Sequence, residues 1–191
     1  MLGRHGPLDR LGLLGLLVSL ALLSGACASA QRPTMPPPGT ICDPLEPRSP
    51  TCDYALAVSL GLQAREHPAS ARDQLAQMVV LLRRTALADP TLDQAGPHRL
   101  LALVLLRAPG WPRGPGDPEE GLVVARRAVA LAPGYAPNLL ALAEALAINE
   151  QPGPAREAAT RALPLAEAAV ADGVTDAAEW LREARERSTS E

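Results

Sequence analysis

The 191-residue sequence contains no lysine and no phenylalanine, so all 18 of its basic residues are arginine. Its aromatics are only Tyr54, Trp111, Tyr135 and Trp180. Such heavy use of Arg, Ala, Leu, Gly and Pro reads as codon bias, not function. A core without Phe must be built from Leu, Val and Ala. Side chains that small let helices approach closely, which points to an all-α fold. Histidine is scarce too: His5 precedes the apolar run described below, and His67 and His98 each sit beside a Pro at an expected helix boundary. Both read as surface or capping residues. No Ser or Cys nucleophile can be joined to a base and an orienting acid, so no catalytic residue is assigned and an enzyme is not expected. Gly110 to Gly116 lacks the Lys-Ser/Thr that would close a phosphate-binding loop, and no cofactor is implied. With a net charge of −3, neither nucleic acid nor an anionic membrane surface is an obvious partner.

Long hydrophobic runs are absent but for one. Leu11 to Leu23 carries no charge, with Arg4 and Arg10 before it and Ser24-Gly25-Ala26-Cys27 after it. A membrane span needs about 20 apolar residues, so this shorter run reads as the core of a secretory signal peptide over residues 1–26. Leu23-Ser24-Gly25-Ala26-Cys27 resembles a bacterial lipobox, although its Leu stands one place further from the Cys than in the commonest pattern. That resemblance implies lipidation of Cys27, cleavage before it, and a periplasm-facing protein anchored to the cell-envelope membrane. The alternative is cleavage after Ala28-Ser29-Ala30, which releases a soluble periplasmic or secreted protein beginning at Gln31. With Cys27 assigned to lipid, Cys42 and Cys52 remain as an even pair in an oxidising compartment. A disulfide between them would close an 11-residue loop and contribute about 3 kcal/mol in the chain-entropy model. Two free thiols are the other reading. No metal site is expected, because two Cys without a nearby His fall short of four zinc ligands.

Proline divides the rest. Residues 27–52 read as a Pro-rich linker carrying the Cys pair, too rich in Pro to be helical. Helical periodicity then runs over 53–187, with 188–191 as a disordered tail. Asp53 to Glu66 reads as the first helix. Ser70 and Asp73 suggest a capping box for the second, which ends near Asp89-Pro90. Pro97 opens a third whose Leu100 to Leu106 segment is apolar all round and should be buried. Asp117-Pro118-Glu119-Glu120 starts a fourth, running to about Ala132. Pro137 begins a fifth through Asn149, and Pro154 a sixth that Pro164 should end or kink. A seventh, from Asp176 to Arg187, has the polar outer face of a cap.

The chain also repeats itself. Gly121, Ala125, Ala128 and Leu131 recur at a constant offset of 34 as Ala155, Ala159, Ala162 and Leu165. Leu139, Leu142, Ala143 and Leu146 supply a large-large-small-large set, and Pro133 stands where a second helix would end. This period and these small residues resemble the tetratricopeptide repeat. The resemblance implies a short helical solenoid of about seven helices. Glu167, where the next terminal Pro would stand, and the early Pro164 depart from the pattern. The competing reading is an Ala-rich bundle in which small residues recur by composition. A second resemblance runs from Asp53 to Tyr135. It comprises a small-residue-rich helix over Tyr54 to Gly61, Leu87-Ala88-Asp89-Pro90, Gly96-Pro97-His98-Arg99-Leu100, and the Gly-rich loop to Gly116-Asp117-Pro118-Glu119. This layout looks like that of the T-component tetratricopeptide lipoproteins, which accompany tripartite ATP-independent periplasmic (TRAP) transporters and there partner a substrate-binding protein.

A solenoid implies binding on the face made by the first helix of each pair. By spacing, Leu140, Glu144, Ala147 and Ile148 fall near that face. Asn138 either meets a partner backbone or caps its own helix. Trp111 either plugs the adjacent repeat, the favoured reading, or stays exposed for contact. The expected function is protein–protein interaction in the envelope, with a periplasmic solute-binding protein as one partner class. A structural scaffold or assembly factor for outer-membrane or secretion machinery is the alternative.

Overall fold

Pro, Asp and Ser at helix starts organise the chain much as their chemistry dictates. The structure, a computed structural model, describes Cys42 and residues 49–189. The signal-type segment, Cys27 and most of the Pro-rich linker lie outside the described residues, as do Ser190 and Glu191. Among the described residues the fold is all-α, with seven helices: α1 Pro50–Glu66, α2 Ala71–Ala88, α3 Leu92–Arg107, α4 Pro118–Leu131, α5 Ala136–Ile148, α6 Pro152–Ala171 and α7 Ala177–Thr189. None of them is long and apolar enough to cross a membrane.

Helix α4 starts as its residues require. The Asp117 carboxylate accepts the Glu120 backbone N–H at 3.0 Å, Pro118 occupies the first turn, and Glu119 and Glu120 complement the positive end of the helix dipole. Helix α1 begins at Pro50, ahead of the expected Asp53, because Ser49 Oγ accepts the Cys52 N–H at 3.2 Å and a Pro in the first turn has no N–H to lose. The Pro-rich character of the linker therefore stops short of 52. Cys52, in this first turn, is disulfide-bonded to Cys42, with Cα atoms 5.7 Å apart.

Three expectations fail locally. Ser70 makes no capping box. Its backbone is already helical, so its hydroxyl donates instead to the His67 carbonyl at 3.2 Å. Helix α6 begins at Pro152 and passes through Pro164 without ending. Ala155, Ala158, Ala159, Ala162 and Ala166 bury one continuous face on both sides of that residue. Pro164 and Thr160, whose carbonyl loses its donor, are both exposed to water. Helix α7 continues to Thr189, so Ser188 and Thr189 are helical where a tail was expected.

Consecutive helices pack on each other throughout, and α3 also packs on α5, and α5 on α7. The odd-numbered helices thus form one layer and the even-numbered ones back it. Apolar residues fill the space in three stations. Tyr54, Leu60, Leu82 and Leu105 join α1, α2 and α3. Ala102, Ala125, Ala143 and Ala159 join α3 to α6. Leu139, Leu140, Ala162, Ala166 and Ala184 join α5, α6 and α7. The run Leu101 to Leu106 is buried except for Leu103, which is half-buried, as its all-round apolarity requires.

Helices α4 and α6 start at Pro118 and Pro152, the same offset of 34 in the numbering. Both bury the recurring positions: Gly121, Ala125 and Ala128 in α4, and Ala155, Ala159 and Ala162 in α6. Each set faces the preceding odd-numbered helix. A Cβ on Gly121 would stand 3.0 Å from Leu106 Cγ and Cδ2, so the small residue is what lets α4 reach α3.

Candidate functional site

Asn138 lies in the first turn of α5 and is completely buried. Its amide Nδ2 donates to the carbonyls of Gln94 (2.9 Å), Ala132 (3.1 Å) and Ala128 (3.3 Å), while its Oδ1 accepts from Arg99 Nη1 at 3.2 Å. It neither meets a partner nor caps its own helix. It ties the end of α4 to α3, adding to the backbone N–H groups of Ala132 and Tyr135 that the Ala128 and Ala132 carbonyls already accept, because the short turn folds α5 back across that end.

Arg99 is the hub of this buried set. Besides Asn138 it donates to the carbonyls of Asp93 and Gln94 at 3.3 and 3.4 Å and to Asp93 Oδ2 at 3.0 Å, and its guanidinium carbon lies 5.0 Å from the Tyr135 ring centroid. The same Asp93 oxygen accepts the Tyr54 hydroxyl at 2.6 Å. Burial pushes the Tyr54 phenol well above its usual range; Arg99 opposes that shift and the Asp93 charge reinforces it. Asp93, Gln94 and Ala95 all adopt left-handed backbone, with φ of 48°, 55° and 63°. Such residues persist only where their surroundings over-determine them, and here Arg99 and Asn138 hold the carbonyls of the first two. Gly96 follows because a Cβ would meet Tyr54 Cζ at 2.8 Å and Asp93 Oδ2 at 2.7 Å.

Leu140 and Glu144 are also buried. Helix α7 lies against Leu140, which packs with Ala162, Ala166 and Ala184. Glu144 receives two hydrogen bonds from Arg107 at 2.7 and 2.6 Å and one from Arg187 at 3.0 Å, so α3, α5 and α7 share one carboxylate. Burial raises the Glu144 carboxyl, but the hydrogen bonds and charge of Arg107, with Arg187 behind them, outweigh it and hold the group below the usual carboxylate range. A carboxylate lowered in the folded state stabilises the fold above its unfolded pKa, and this contribution is lost as pH falls through the folded value. Glu144→Gln should therefore cost roughly 1.5 to 3 kcal/mol at neutral pH, the range for hydrogen bonds to charged groups. Partial exposure of Arg107 and Arg187 favours the lower end. Urea melts of parent and variant should differ at pH 7 and converge in acid below the ordinary carboxylate pKa. A difference that does not change with pH would refute the assignment.

Ala147 and Ile148 are exposed at the last turn of α5. Trp111 is 89% exposed, which corrects the expectation that it plugs a neighbouring repeat. Gly116 N–H donates to the Pro109 carbonyl at 2.9 Å, Arg113 N–H to Gly110 at 3.0 Å and Asp117 N–H to Leu105 at 2.9 Å, so the loop tip is held outward. The Asn149 amide donates to the Pro118 carbonyl at 3.0 Å, which brings the end of α5 against the start of α4 where this loop ends. Trp111, Ala147 and Ile148 therefore belong to the same end of the layered structure.

His67 terminates α1 and is exposed. His98 is half-buried, and burial, with Arg127 nearby, lowers its pKa, while the Pro90 backbone opposes the shift. Sequence patterns did not reveal Tyr54, Asp93, Arg99, Arg107 or Arg187 as interacting residues. Their pairings span 37 to 43 residues wherever they cross helices. The only local trace was Gly96 before Pro97.

In comparisons with known proteins, no protein-family model and no curated protein sequence matches this chain.

Proposed function

We propose that the chain is an exported, lipid-anchored protein whose helical part is a tetratricopeptide-type solenoid that binds another protein of the bacterial envelope and performs no catalysis. The observation that carries this reading is the recurrence of helix start and buried small residues between α4 and α6 at an offset of 34, the repeat length of that family. The partner class is a periplasmic solute-binding protein of a TRAP-type transporter, on the layout from Asp53 to Tyr135. Anchoring is through Cys27.

Of the six positions expected to contact a partner, Asn138, Leu140 and Glu144 are occupied by internal packing, so contact falls to Trp111, Ala147 and Ile148. A rigidly presented Trp suits such a role, because large aromatics lose little freedom on binding and dominate interface energetics.

A photo-crosslinking residue at Trp111 or Ile148 should capture one common envelope protein in intact cells, whereas the same group at Gln77, exposed on α2, should not. Equal capture at Gln77, or none at 111 and 148, refutes the binding reading. Fatty-acid labelling that survives Cys27→Ala refutes the anchor.

A further inference from the structure

The net charge of −3 does not preclude a local basic stripe. On α2, Val80, Arg83, Arg84 and Leu87 are all exposed, and on α4 so are Val123, Arg126, Arg127 and Ala130. Each set follows the i, i+3, i+4, i+7 spacing of one helical stripe. The two stripes correspond residue for residue at an offset of 43. The buried sets keep the same offset: Met78, Val79, Leu82 and Thr85 in α2, and Gly121, Leu122, Ala125 and Ala128 in α4. Two helices of one layer thus turn the same Val-Arg-Arg-apolar stripe outward. Arg83 and Glu120 tie them together at 2.6 Å.

Their charge is only partly compensated. Arg84 pairs with Asp53, but Arg126 and Arg127 form no ion pair among the described residues, nor does Arg161, the counterpart of Arg127 on α6. Glu119 and Glu120 stand one turn before Val123 at the start of α4, where Glu120 pairs with Arg83, so the charge left free on the stripe is that of Arg126 and Arg127. Between the guanidinium groups stand Val80, Leu87 and Val123, exposed by 62, 88 and 65%. Arg forms bidentate hydrogen bonds with phosphate, and short apolar side chains beside it fit the shallow acyl boundary of a bilayer. Charge complementarity selects an anionic lipid surface over a neutral one.

We propose that the outward stripes of α2 and α4 make a reversible contact with an anionic phospholipid surface, additional to the lipid anchor. The proposal takes its access to a bilayer from the exported, anchored reading above. Its test does not depend on that reading.

The full chain carrying Cys27→Ala, so that no acyl chain contributes, receives Leu87→Trp as a reporter and is mixed with vesicles of brominated lipid. The apolar run near its N-terminus can hold the chain on any vesicle, so the readout is local quenching at residue 87, taken as the difference from the chain with Leu87 intact. Quenching is expected on vesicles rich in phosphatidylglycerol, to be lost at high salt, and to be absent on pure phosphatidylcholine. Arg126→Glu with Arg127→Glu should weaken the apparent partitioning by roughly tenfold or more, since each basic residue near an anionic surface is worth about a fivefold gain. A reporter at Ala147 should remain unquenched, and circular dichroism should show the charge variant folded. Equal quenching on both lipids, indifference to the charge reversal, or no quenching at residue 87 overturns the proposal. If an acidic polypeptide instead binds the stripe in an Arg126- and Arg127-dependent way while phosphatidylglycerol does not, the occupant is a protein and the lipid assignment fails.

Discussion

Arg99→Ala is expected to destabilise the fold by about 3 to 5 kcal/mol, the cost of removing one partner from a buried ionic group. The guanidinium contacts the Asp93 carboxylate and carbonyl, the Gln94 carbonyl and Asn138 Oδ1. Truncation leaves each of these with fewer donors in a region largely closed to water. It also releases the left-handed run Asp93 to Ala95, a conformation that consecutive non-Gly residues hold only with support from their surroundings. Arg99→Lys should recover little, because a single ammonium cannot reproduce the planar fork that reaches these acceptors on different sides. Urea denaturation checks both variants. A loss below about 1 kcal/mol for Arg99→Ala, the size of an ordinary substitution, would mean that the network is dispensable.

The second large effect is overpacking. Ala128 and Ala162 are both fully buried and occupy equivalent places on α4 and α6, one repeat apart. Replacing either with Trp should cost roughly 1 to 3 kcal/mol or more, because an indole must displace backbone where paired helices meet. Glu157→Ala, on the exposed side of α6, should stay within about 0.5 kcal/mol. The contrast between the two faces is the diagnostic result. If Ala128→Trp and Ala162→Trp both melt like the parent, these positions are not the close approaches of a repeating unit, and the proposed solenoid loses its support.

Helix existence and most helix starts were legible because their causes are local. Asp117-Pro118 satisfies its own first turn, and the Leu-rich stretch after Pro97 has no polar face to offer water. The same locality explains the errors. Pro164 breaks an isolated helix, yet buried alanines on either side of it hold α6 together. Ser70 and Asp73 resemble a capping box in spacing, but the turn from His67 had already set the backbone of Ser70.

Spacing could say which residues share a helix face but not what else comes to cover that face. Asn138, Leu140 and Glu144 lie where periodicity put them, on α5, and were assigned to a partner. Whether such a face is open depends on the neighbouring elements. Arg99 and the carbonyls of α3 and α4 reach Asn138, α7 covers Leu140, and Arg107 and Arg187 close on Glu144. Trp111 errs in the opposite direction. Its size suggested a plug, but the hydrogen bonds of a short Gly-Pro loop hold the ring outward. The local sequence therefore determined an all-α chain, several of its helix starts and the recurrence between α4 and α6, because capping, proline geometry and apolar spacing act within a few residues. Tertiary structure alone decided which polar groups became internal ties and which surfaces remained free, because ion pairing and burial depend on groups some forty residues away along the chain.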